Sequence, residues 1–188
     1  MAFENERKFL LKNDKWKKGV SNKDVIHQGY IDLSKVEISI KPNFLILDFG
    51  FMKLRKPIDT KDYEQLLEHL DKPEKVLRIR DKSGKYKITL KIDIGIVDSK
   101  VEVEPSLSKE EYDMLVPICD AFISKIRSYV KVGEYVYEVD VFTGKHEHLE
   151  PLAEVEYKTP GEVIEIPEWA GTEVTGIDKY YNANLARL

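Results

Sequence analysis

The sequence lacks the features typical of secreted proteins, of membrane-spanning proteins and of proteins that bind nucleic acid through overall positive charge. Its single cysteine, Cys119, excludes an intramolecular disulfide and a cysteine-based zinc site. No apolar run approaches the roughly 18 residues that span a bilayer, and the first residues, MAFENERKFL, lack the apolar stretch of a signal peptide. Lys and Arg number 30 against 34 Asp and Glu, which disfavours binding to nucleic acid through overall positive charge. We therefore expect a soluble, cytoplasmic protein with no membrane partner.

The chain does have the length and the apolar content of one folded domain. Its 188 residues fit the roughly 100–200 residues of a typical domain. Hydrophobic residues make up 42% of the sequence, which is sufficient for a buried core. The sequence therefore predicts a single domain over residues 1–188, with an insertion at about residues 35–75 that we interpret as a hairpin followed by a helix.

The strongest pattern is alternation of apolar and polar residues with a period of two, which is typical of half-buried strands. It is clearest over residues 86–92, where Tyr86, Ile88 and Leu90 share one face and Lys87 and Thr89 share the other. Turn signals that contain glycine separate several of these segments. The alternation predicts antiparallel strands at residues 3–11, 25–33, 76–80, 86–92, 100–104, 123–130, 135–142 and 152–157.

Three segments have the apolar spacing of helices, namely residues 59–70, 108–123 and 175–188. The second begins with Ser108 and Glu111, the pattern of a capping box, and contains Pro117, which should kink it. Each helix has one apolar side, so each is expected to cover a sheet from outside. The predicted class is α+β, mainly β, and if the sheet closes into a barrel its charged faces line the interior.

The charged faces of the predicted strands are sorted by sign. The acidic pairs are Glu4/Glu6, Glu102/Glu104, Glu138/Asp140 and Glu154/Glu156, and the basic pairs are Arg78/Arg80, Lys87/Lys91 and Lys125/Arg127. Like charges that lie side by side repel each other, so this arrangement needs a compensating ligand. Paired carboxylates suit hard divalent cations such as Mg²⁺ or Mn²⁺, and converging Arg and Lys suit phosphate oxygens. The pattern predicts a site for a triphosphate and its metal ions.

The same residues resemble the signature motifs of the CYTH superfamily, the triphosphate tunnel metalloenzymes. Each motif alone is common, but their order matches along nearly the whole chain. In chain order they are Glu4-Asn5-Glu6-Arg7-Lys8 (ExExK), His27-Gln28-Gly29-Tyr30-Ile31 (QGYL), Arg78-Ile79-Arg80 (RxR), Thr89-Leu90-Lys91 (TxK), Glu102-Val103-Glu104 (ExE), Lys125-Ile126-Arg127-Ser128-Tyr129 (KxRY), Glu138-Val139-Asp140-Val141-Phe142 (ExDxF) and Ala153-Glu154-Val155-Glu156 (AEVE). The C-terminal segment also matches, whereas residues 35–75 depart from the family, whose members run almost directly from QGYL to RxR.

The resemblance implies an eight-stranded antiparallel β-barrel, the triphosphate tunnel, with helices packed outside. It also implies metal-dependent hydrolysis of a triphosphate, with the conversion of inorganic tripolyphosphate to pyrophosphate and phosphate as our first choice. Glu102 and Glu104 would orient the basic residues or assist a catalytic metal, and Glu4, Glu6 and Lys8 would join them in catalysis. One or two Mg²⁺ or Mn²⁺ ions would be held by Glu4, Glu6, Asp140, Glu154 and Glu156. The phosphates would be bound by Lys8, Arg78, Arg80, Lys91, Lys125 and Arg127.

Other functions remain open. A class IV-type adenylate cyclase would use the same residues, although we find no HFD-type motif. A thiamine triphosphatase would need aromatic stacking, for which Tyr30 and Tyr129 are candidates. An RNA 5′-triphosphatase would need a cationic entrance, for which Lys53, Arg55 and Lys56 are candidates, and only such a triphosphate end would make nucleic acid a partner. Outside the enzymes, the alternative is a module that binds polyphosphate or a nucleotide, and the oligomeric state, a homodimer included, is open.

Overall fold

The structure is a computed structural model that describes residues 3–96, 99–159 and 161–188, without the side chains of Phe3, Glu4 and Ser99. Contacts between residues group the chain into two compact units. The first contains Gln28–Phe122 and the start of the chain through Glu4, and the second contains Asn5–His27 and Ile123–Leu188. Among the described residues, no helix is long and apolar enough to cross a membrane.

Strands account for most of the regular structure. In chain order they are β1 (Phe3–Leu11), β2 (Val20–Ile31), β3 (Glu37–Lys41), β4 (Phe44–Asp48), β5 (Lys53–Pro57), β6 (Lys75–Lys82), β7 (Lys85–Ile96), β8 (Ser99–Val103), β9 (Ala121–Val132), β10 (Tyr135–Thr143), β11 (Leu152–Tyr157) and β12 (Ala170–Glu173). The α-helices are α1 (Thr60–His69), α2 (Lys109–Leu115) and α3 (Asn182–Leu185). Short 3₁₀ helices occur at Asp14–Gly19, Leu33–Lys35, Val116–Ile118, Gly144–His146 and Asp178–Tyr180.

The first unit contains an antiparallel sheet of β6, β7 and β8. The hairpin between β6 and β7 turns at Ser83 and Gly84, whose φ angles of 49° and 83° lie in the left-handed region that glycine adopts most easily. The middle of the apolar face of β7 is completely buried, with Ile88 and Leu90 both at 0% exposure. This arrangement confirms the strand predicted from the alternation over residues 86–92, and it leaves the opposite face of β7 to polar side chains.

The predicted insertion contains a three-stranded antiparallel sheet, β3–β4–β5, followed by α1. The prediction of a hairpin and a helix was therefore one strand short. Asn43 makes the turn between β3 and β4 with a φ of 59°, a conformation that asparagine tolerates better than most residues. One face of the sheet buries Leu45 and Leu47 in the same core as Leu66 of α1 and Ile88 of β7.

The helix predicted over residues 108–123 is shorter than expected. Its start is confirmed, because the Ser108 side chain accepts a hydrogen bond from the Glu111 backbone and the Glu111 side chain accepts one from the Ser108 backbone. The α-helix ends at Leu115, and a 3₁₀ turn that contains Pro117 follows. Proline lacks a backbone donor and collides with the preceding turn. The chain therefore leaves the helix, and the next apolar residues belong to β9.

The second unit is organised around an antiparallel sheet with the order β9–β10–β11–β1–β12, and β2 lies next to β9. Strand β12 has no counterpart among the predicted strands. One face of the sheet is apolar and is covered by aromatic side chains from the connections. The buried core on this face comprises Phe9, Trp16, Val130, Tyr137, Val139, Ala153, Val155, Tyr157, Ile164 and Trp169.

The C-terminal segment is not the continuous helix predicted over residues 175–188. Gly176 adopts a φ of 73°, and Tyr181 has extended backbone between the last 3₁₀ turn and α3. Both conformations interrupt a helix, so only the four residues of α3 form an α-helical turn. Leu185 is nevertheless buried, at 6% exposure. The predicted packing of this segment onto the fold is therefore retained.

The predicted fold class, mainly antiparallel β with a few helices, is confirmed. Inside each unit the described strands form open sheets, and the closure of eight strands into one barrel stays a prediction. The single domain over residues 1–188 also stays a prediction.

Candidate active site

A cluster of charged side chains, which we call the carboxylate-rich cluster, lies within the second unit. Its members come from β1, β9, β10 and β11, on the face opposite the aromatic core. The register places Lys8 opposite Glu154 and Arg127 opposite Asp140. Side chains of opposite charge therefore meet across neighbouring strands. The members are Glu6, Lys8, Lys125, Arg127, Glu138, Asp140, Glu154 and Glu156.

Asp140 is the most deeply buried carboxylate of this cluster, at 1% exposure. Its Oδ1 accepts a hydrogen bond from Arg127 Nε at 2.7 Å, and its Oδ2 accepts one from Arg127 Nη2 at 2.7 Å. Lys125 Nζ also donates to Oδ2, and this lysine is itself 1% exposed. Burial lowers the pKa of Lys125, although the charge of Asp140 opposes this effect. Asp140 therefore anchors two buried cations.

Glu154 is the second centre of the cluster. Its Oε1 lies 2.9 Å from Lys8 Nζ, and its Oε2 accepts a hydrogen bond from Arg127 Nη2 at 2.8 Å. Burial by itself would raise the pKa of this carboxyl, but Lys8, Lys125 and Arg127 outweigh it and hold the pKa well below its ordinary value. Glu154 is therefore ionised at neutral pH, in a site that water barely reaches.

The C-terminal segment supplies neutral partners to the same cations. Lys8 Nζ donates to the Tyr180 carbonyl at 3.3 Å and lies 5.5 Å from the centre of the Tyr181 ring. Lys125 Nζ donates to Asn182 Oδ1 at 3.3 Å. These contacts explain why the C-terminal residues belong with the site. The sequence pattern did not indicate these contacts, because a backbone carbonyl, an aromatic ring and an amide carry no formal charge.

Glu6 and Glu156 are the more accessible carboxylates of the cluster. They lie directly opposite each other on β1 and β11, and the Glu6 side chain keeps 24% of its surface exposed, with Oε1 3.8 Å from Lys8 Nζ. Because Mg²⁺ and Mn²⁺ prefer carboxylate oxygens, this pair fits such an ion.

The structure leaves the rest of the predicted metal ligand set untested. Glu4 precedes Glu6 on β1, but its side chain lies outside the described part of the chain. Where side chains are described, no group of three or more His, Cys, Asp or Glu residues is arranged to hold a metal ion. The metal ligand set therefore stays a prediction.

A cavity of about 360 Å³ borders the carboxylate-rich cluster within the second unit. It shares Glu138 and Glu156 with the cluster, and Glu138 in turn binds Arg127 Nη1. Its charged lining residues are four glutamates and one lysine, so the described lining is rich in carboxylates. The lining consists of Tyr129, Glu134, Tyr135, Val136, Glu138, Glu156, Tyr157, Lys158 and Glu162.

A second group of charged side chains, which we call the cation-rich cluster, lies within the first unit on β6, β7 and the end of β8. Glu104 is its centre. Arg80 Nη2 donates to both Glu104 oxygens at 2.7 and 2.8 Å, and Arg78 Nη2 donates to Oε2 at 3.0 Å. Lys87 Nζ and Thr89 Oγ1 each donate at 2.8 Å. Several donors therefore converge on one oxyanion.

Electrostatics favours the charged form of Glu104. Burial by itself would raise the pKa of this carboxyl, but Arg80 and Arg78 outweigh it, with further help from Lys87 and Thr89, so that the pKa lies below its ordinary value. The same cluster contains a second pair, because Lys91 Nζ lies 2.6 Å from Glu102 Oε2. Among the described side chains, four cations thus contact two carboxylates, and a cluster of this composition suits an anionic ligand.

The three basic residues of the insertion that were candidates for a cationic entrance are differently placed. Lys53 lies 2.6 Å from Asp48, and Lys56 binds Glu111 with only 12% of its side chain exposed. The Arg55 guanidinium lies 3.9 Å above the centre of the Phe44 ring. Each of the three basic residues therefore already has a partner inside the insertion or on α2.

The structure brings the predicted phosphate ligands together inside their own units, as Lys8, Lys125 and Arg127 in one cluster and Arg78, Arg80 and Lys91 in the other. Their roles stay predictions. Lys87, for which the sequence gave no ligand role, contacts Glu104 and keeps 40% of its side chain exposed.

Comparison with known proteins identifies the class to which this fold and these charged clusters belong. No family model matches the chain. A curated inorganic triphosphatase from Acetivibrio thermocellus is 31% identical over 150 residues, which cover 79% of this chain and 92% of that protein. The crystal structure of the inorganic triphosphatase NE1496 superposes with a TM-score of 0.58 at 25% identity, over 99% of this chain and 95% of that one.

A more distant structure shares the fold alone. The PH1012 protein from Pyrococcus horikoshii OT3 superposes with a TM-score of 0.50 at 14% identity, over 84% of this chain and 80% of that chain. Taken with the order of the charged motifs, the similarity to the curated relative is decisive. The chain belongs to the CYTH superfamily of triphosphate tunnel metalloenzymes.

Proposed function

We propose that this protein is a divalent-metal-dependent triphosphatase that hydrolyses inorganic tripolyphosphate to pyrophosphate and phosphate. The observation that carries the proposal is the opposite charge balance of the two clusters. Among the described side chains, four cations contact two carboxylates around Glu104, whereas five carboxylates accompany three cations around Glu154. The first composition suits phosphate oxygens, and the second suits a divalent metal ion. The similarity to two inorganic triphosphatases supports the same reaction.

The cation-rich cluster is suited to phosphate. Its donors already converge on the Glu104 carboxylate, an oxyanion, and the planar guanidinium groups of Arg78 and Arg80 match phosphate oxygens in the same way. Fixed cations of this kind stabilise the charge that builds up on a phosphoryl group as its bond to the leaving oxygen breaks.

The carboxylate-rich cluster is suited to a metal ion. We propose that Glu6 and Glu156 hold Mg²⁺ or Mn²⁺, with Glu4 as a further ligand. Asp140 and Glu154, which the sequence also placed among the ligands, each have both oxygens bound to cations, and we propose that they position Lys8, Lys125 and Arg127 instead. When bound, the ion lowers the pKa of a water molecule and polarises phosphoryl oxygens.

The cavity beside the carboxylate-rich cluster bears on the choice of substrate. Lys53, Arg55 and Lys56 of the insertion have partners of their own, which disfavours the cationic entrance that an RNA 5′ end would need. The tyrosines and carboxylates of the same cavity would suit an organic cation, so thiamine triphosphate is the second candidate. Tyr30 gives no further support for thiamine triphosphate as the substrate, because its side chain is buried in the first unit, at 3% exposure.

A comparison of substrates tests the proposal. Initial rates of phosphate release are measured with inorganic tripolyphosphate, ATP, thiamine triphosphate and a 5′-triphosphate RNA, each with Mg²⁺ or Mn²⁺, and cyclic AMP is assayed in parallel. We expect the highest kcat/KM with inorganic tripolyphosphate. A preference for thiamine triphosphate would select the second candidate, and formation of cyclic AMP would select the cyclase. Tight binding of tripolyphosphate without turnover would identify a binding module and contradict the proposed enzymatic activity.

The variant Arg80→Ala is expected to weaken substrate binding. It removes a guanidinium that contributes charge-assisted hydrogen bonds, so KM for tripolyphosphate should rise roughly tenfold or more while kcat changes much less. Arg55→Ala is the matched control, because Arg55 is an arginine of the same unit whose guanidinium stacks on Phe44. Saturation curves for both variants make the measurement, and an unchanged KM for Arg80→Ala would remove this residue from the phosphate site.

A further inference from the structure

Thr89 is an uncharged residue in the middle of the charged face of β7. Lys87 and Lys91 flank it on the same face, because side chains two residues apart in a strand point to the same side. The register places it directly opposite Arg78 on β6. Thr89 is completely buried, at 0% exposure. A hydroxyl in such a position needs partners, and it finds them within the cation-rich cluster.

The hydroxyl of Thr89 joins Arg78 to Glu104. Thr89 Oγ1 accepts a hydrogen bond from Arg78 Nη2 at 3.0 Å and donates one to Glu104 Oε2 at 2.8 Å. Arg78 Nη2 also donates to the same Glu104 oxygen at 3.0 Å. The directions are fixed by chemistry, because a guanidinium only donates and an ionised carboxylate only accepts. The three groups therefore form a closed triangle.

The triangle restricts the orientation of the Arg78 side chain. Threonine is branched at Cβ, and its χ1 angle is restricted in a strand, so its hydroxyl stays in place. Glu104 also binds Arg80 and Lys87, so that the position of one carboxylate determines the positions of three cations. A cation that is already held in position loses less entropy when an anion binds.

We infer that Thr89 is a positioning residue, which holds Arg78 and Glu104 together and thereby sets the affinity of the cation-rich cluster for triphosphate. The inference rests on the proposed function, since it assigns a role to a residue of the same site. Thr89 is the threonine of the TxK motif. Because its side chain is uncharged, the pattern of charged residues assigned it no role.

The test compares Thr89→Val, which keeps the shape and removes the hydroxyl, with Thr89→Ser, which keeps the hydroxyl. Thr143→Val is the control, because Thr143 is also a strand threonine and its side chain makes no capping hydrogen bond. For Thr89→Val we expect KM for inorganic tripolyphosphate to rise roughly 10- to 100-fold, as for the loss of hydrogen bonds to charged groups, with little change in kcat. Thr89→Ser should lie within about threefold of the wild type, since the hydroxyl remains.

A binding measurement separates this inference from the proposed reaction. Calorimetric titration with inorganic tripolyphosphate gives the Kd of each variant whether or not the protein turns the substrate over. A wild type that binds but does not hydrolyse would contradict the proposed function, and the ratio of Kd values would still test Thr89. Thermal unfolding checks that each variant is folded, and Thr89→Cys replaces Thr89→Val if that variant is not. An unchanged Kd without the hydroxyl, or equal losses with Ser and Val, would overturn the inference, as would a wild type that does not bind tripolyphosphate.

Discussion

Asp140→Asn is expected to lower the free energy of unfolding by about 3–5 kcal/mol, the usual cost of removing one partner from a buried ion pair. The substitution keeps the shape of the side chain and removes the charge that compensates Lys125 and Arg127. Both cations are almost inaccessible to water, at 1% and 7% exposure, so solvent cannot replace the lost carboxylate. Urea unfolding of the wild type and the variant measures the difference.

Asp14→Asn is the control for this prediction. Asp14 pairs with Lys17 at 2.6 Å, but their side chains are 75% and 59% exposed, and exposed ion pairs contribute little to stability. We expect no measurable change in that variant. The double variant Asp140→Asn/Lys125→Met should regain part of the lost stability, because it removes one uncompensated cation. A single variant as stable as the wild type would contradict the anchoring role of Asp140.

The second large effect is expected on turnover. Glu6→Gln should lower kcat for tripolyphosphate by about 100-fold or more, because an amide is a weaker ligand for Mg²⁺ or Mn²⁺ than a carboxylate. The fold should remain intact, since Glu6 is only partly buried and its shortest described contact to a cation, Lys8 Nζ, is 3.8 Å. Phosphate release as a function of Mg²⁺ concentration makes the measurement, and thermal unfolding confirms the fold.

Glu37→Gln provides the matched control, because Glu37 is an exposed strand glutamate in the insertion. Its kcat and its dependence on Mg²⁺ should equal those of the wild type. Higher Mg²⁺ concentrations should restore part of the activity of Glu6→Gln if the residue holds the ion. A fully active Glu6→Gln enzyme at low Mg²⁺ would remove Glu6 from the metal site.

The sequence predicts those parts of the fold whose periodicity is local. Alternation over residues 86–92 identifies β7 because its apolar side chains are buried on one face only. The apolar run from Phe44 to Phe51 conceals where β4 ends, and β5 contains few apolar residues, so that a third strand in the insertion escaped prediction. Pro117 was expected to kink α2, whereas it lies where the helix has already ended.

For the candidate site, the sequence predicts which charged side chains share a face of a strand, but not which groups they bind. Charges two residues apart identify which side chains share a face, and this argument found both clusters. Which groups bind each other depends on register between distant strands: Lys8 contacts Glu154, which lies 146 residues further along the chain. Residues that take part through a hydroxyl or a backbone carbonyl, such as Thr89 and Tyr180, leave no charge pattern in the sequence.

The most direct test of the account is the dependence of tripolyphosphate cleavage on a divalent ion. Phosphorus NMR follows inorganic tripolyphosphate with protein that has been treated with a chelator, before and after Mg²⁺ or Mn²⁺ is added. The account predicts that equal amounts of pyrophosphate and phosphate appear only after the metal is added. Equal rates without metal, or no cleavage with it, would contradict a metal-dependent triphosphatase.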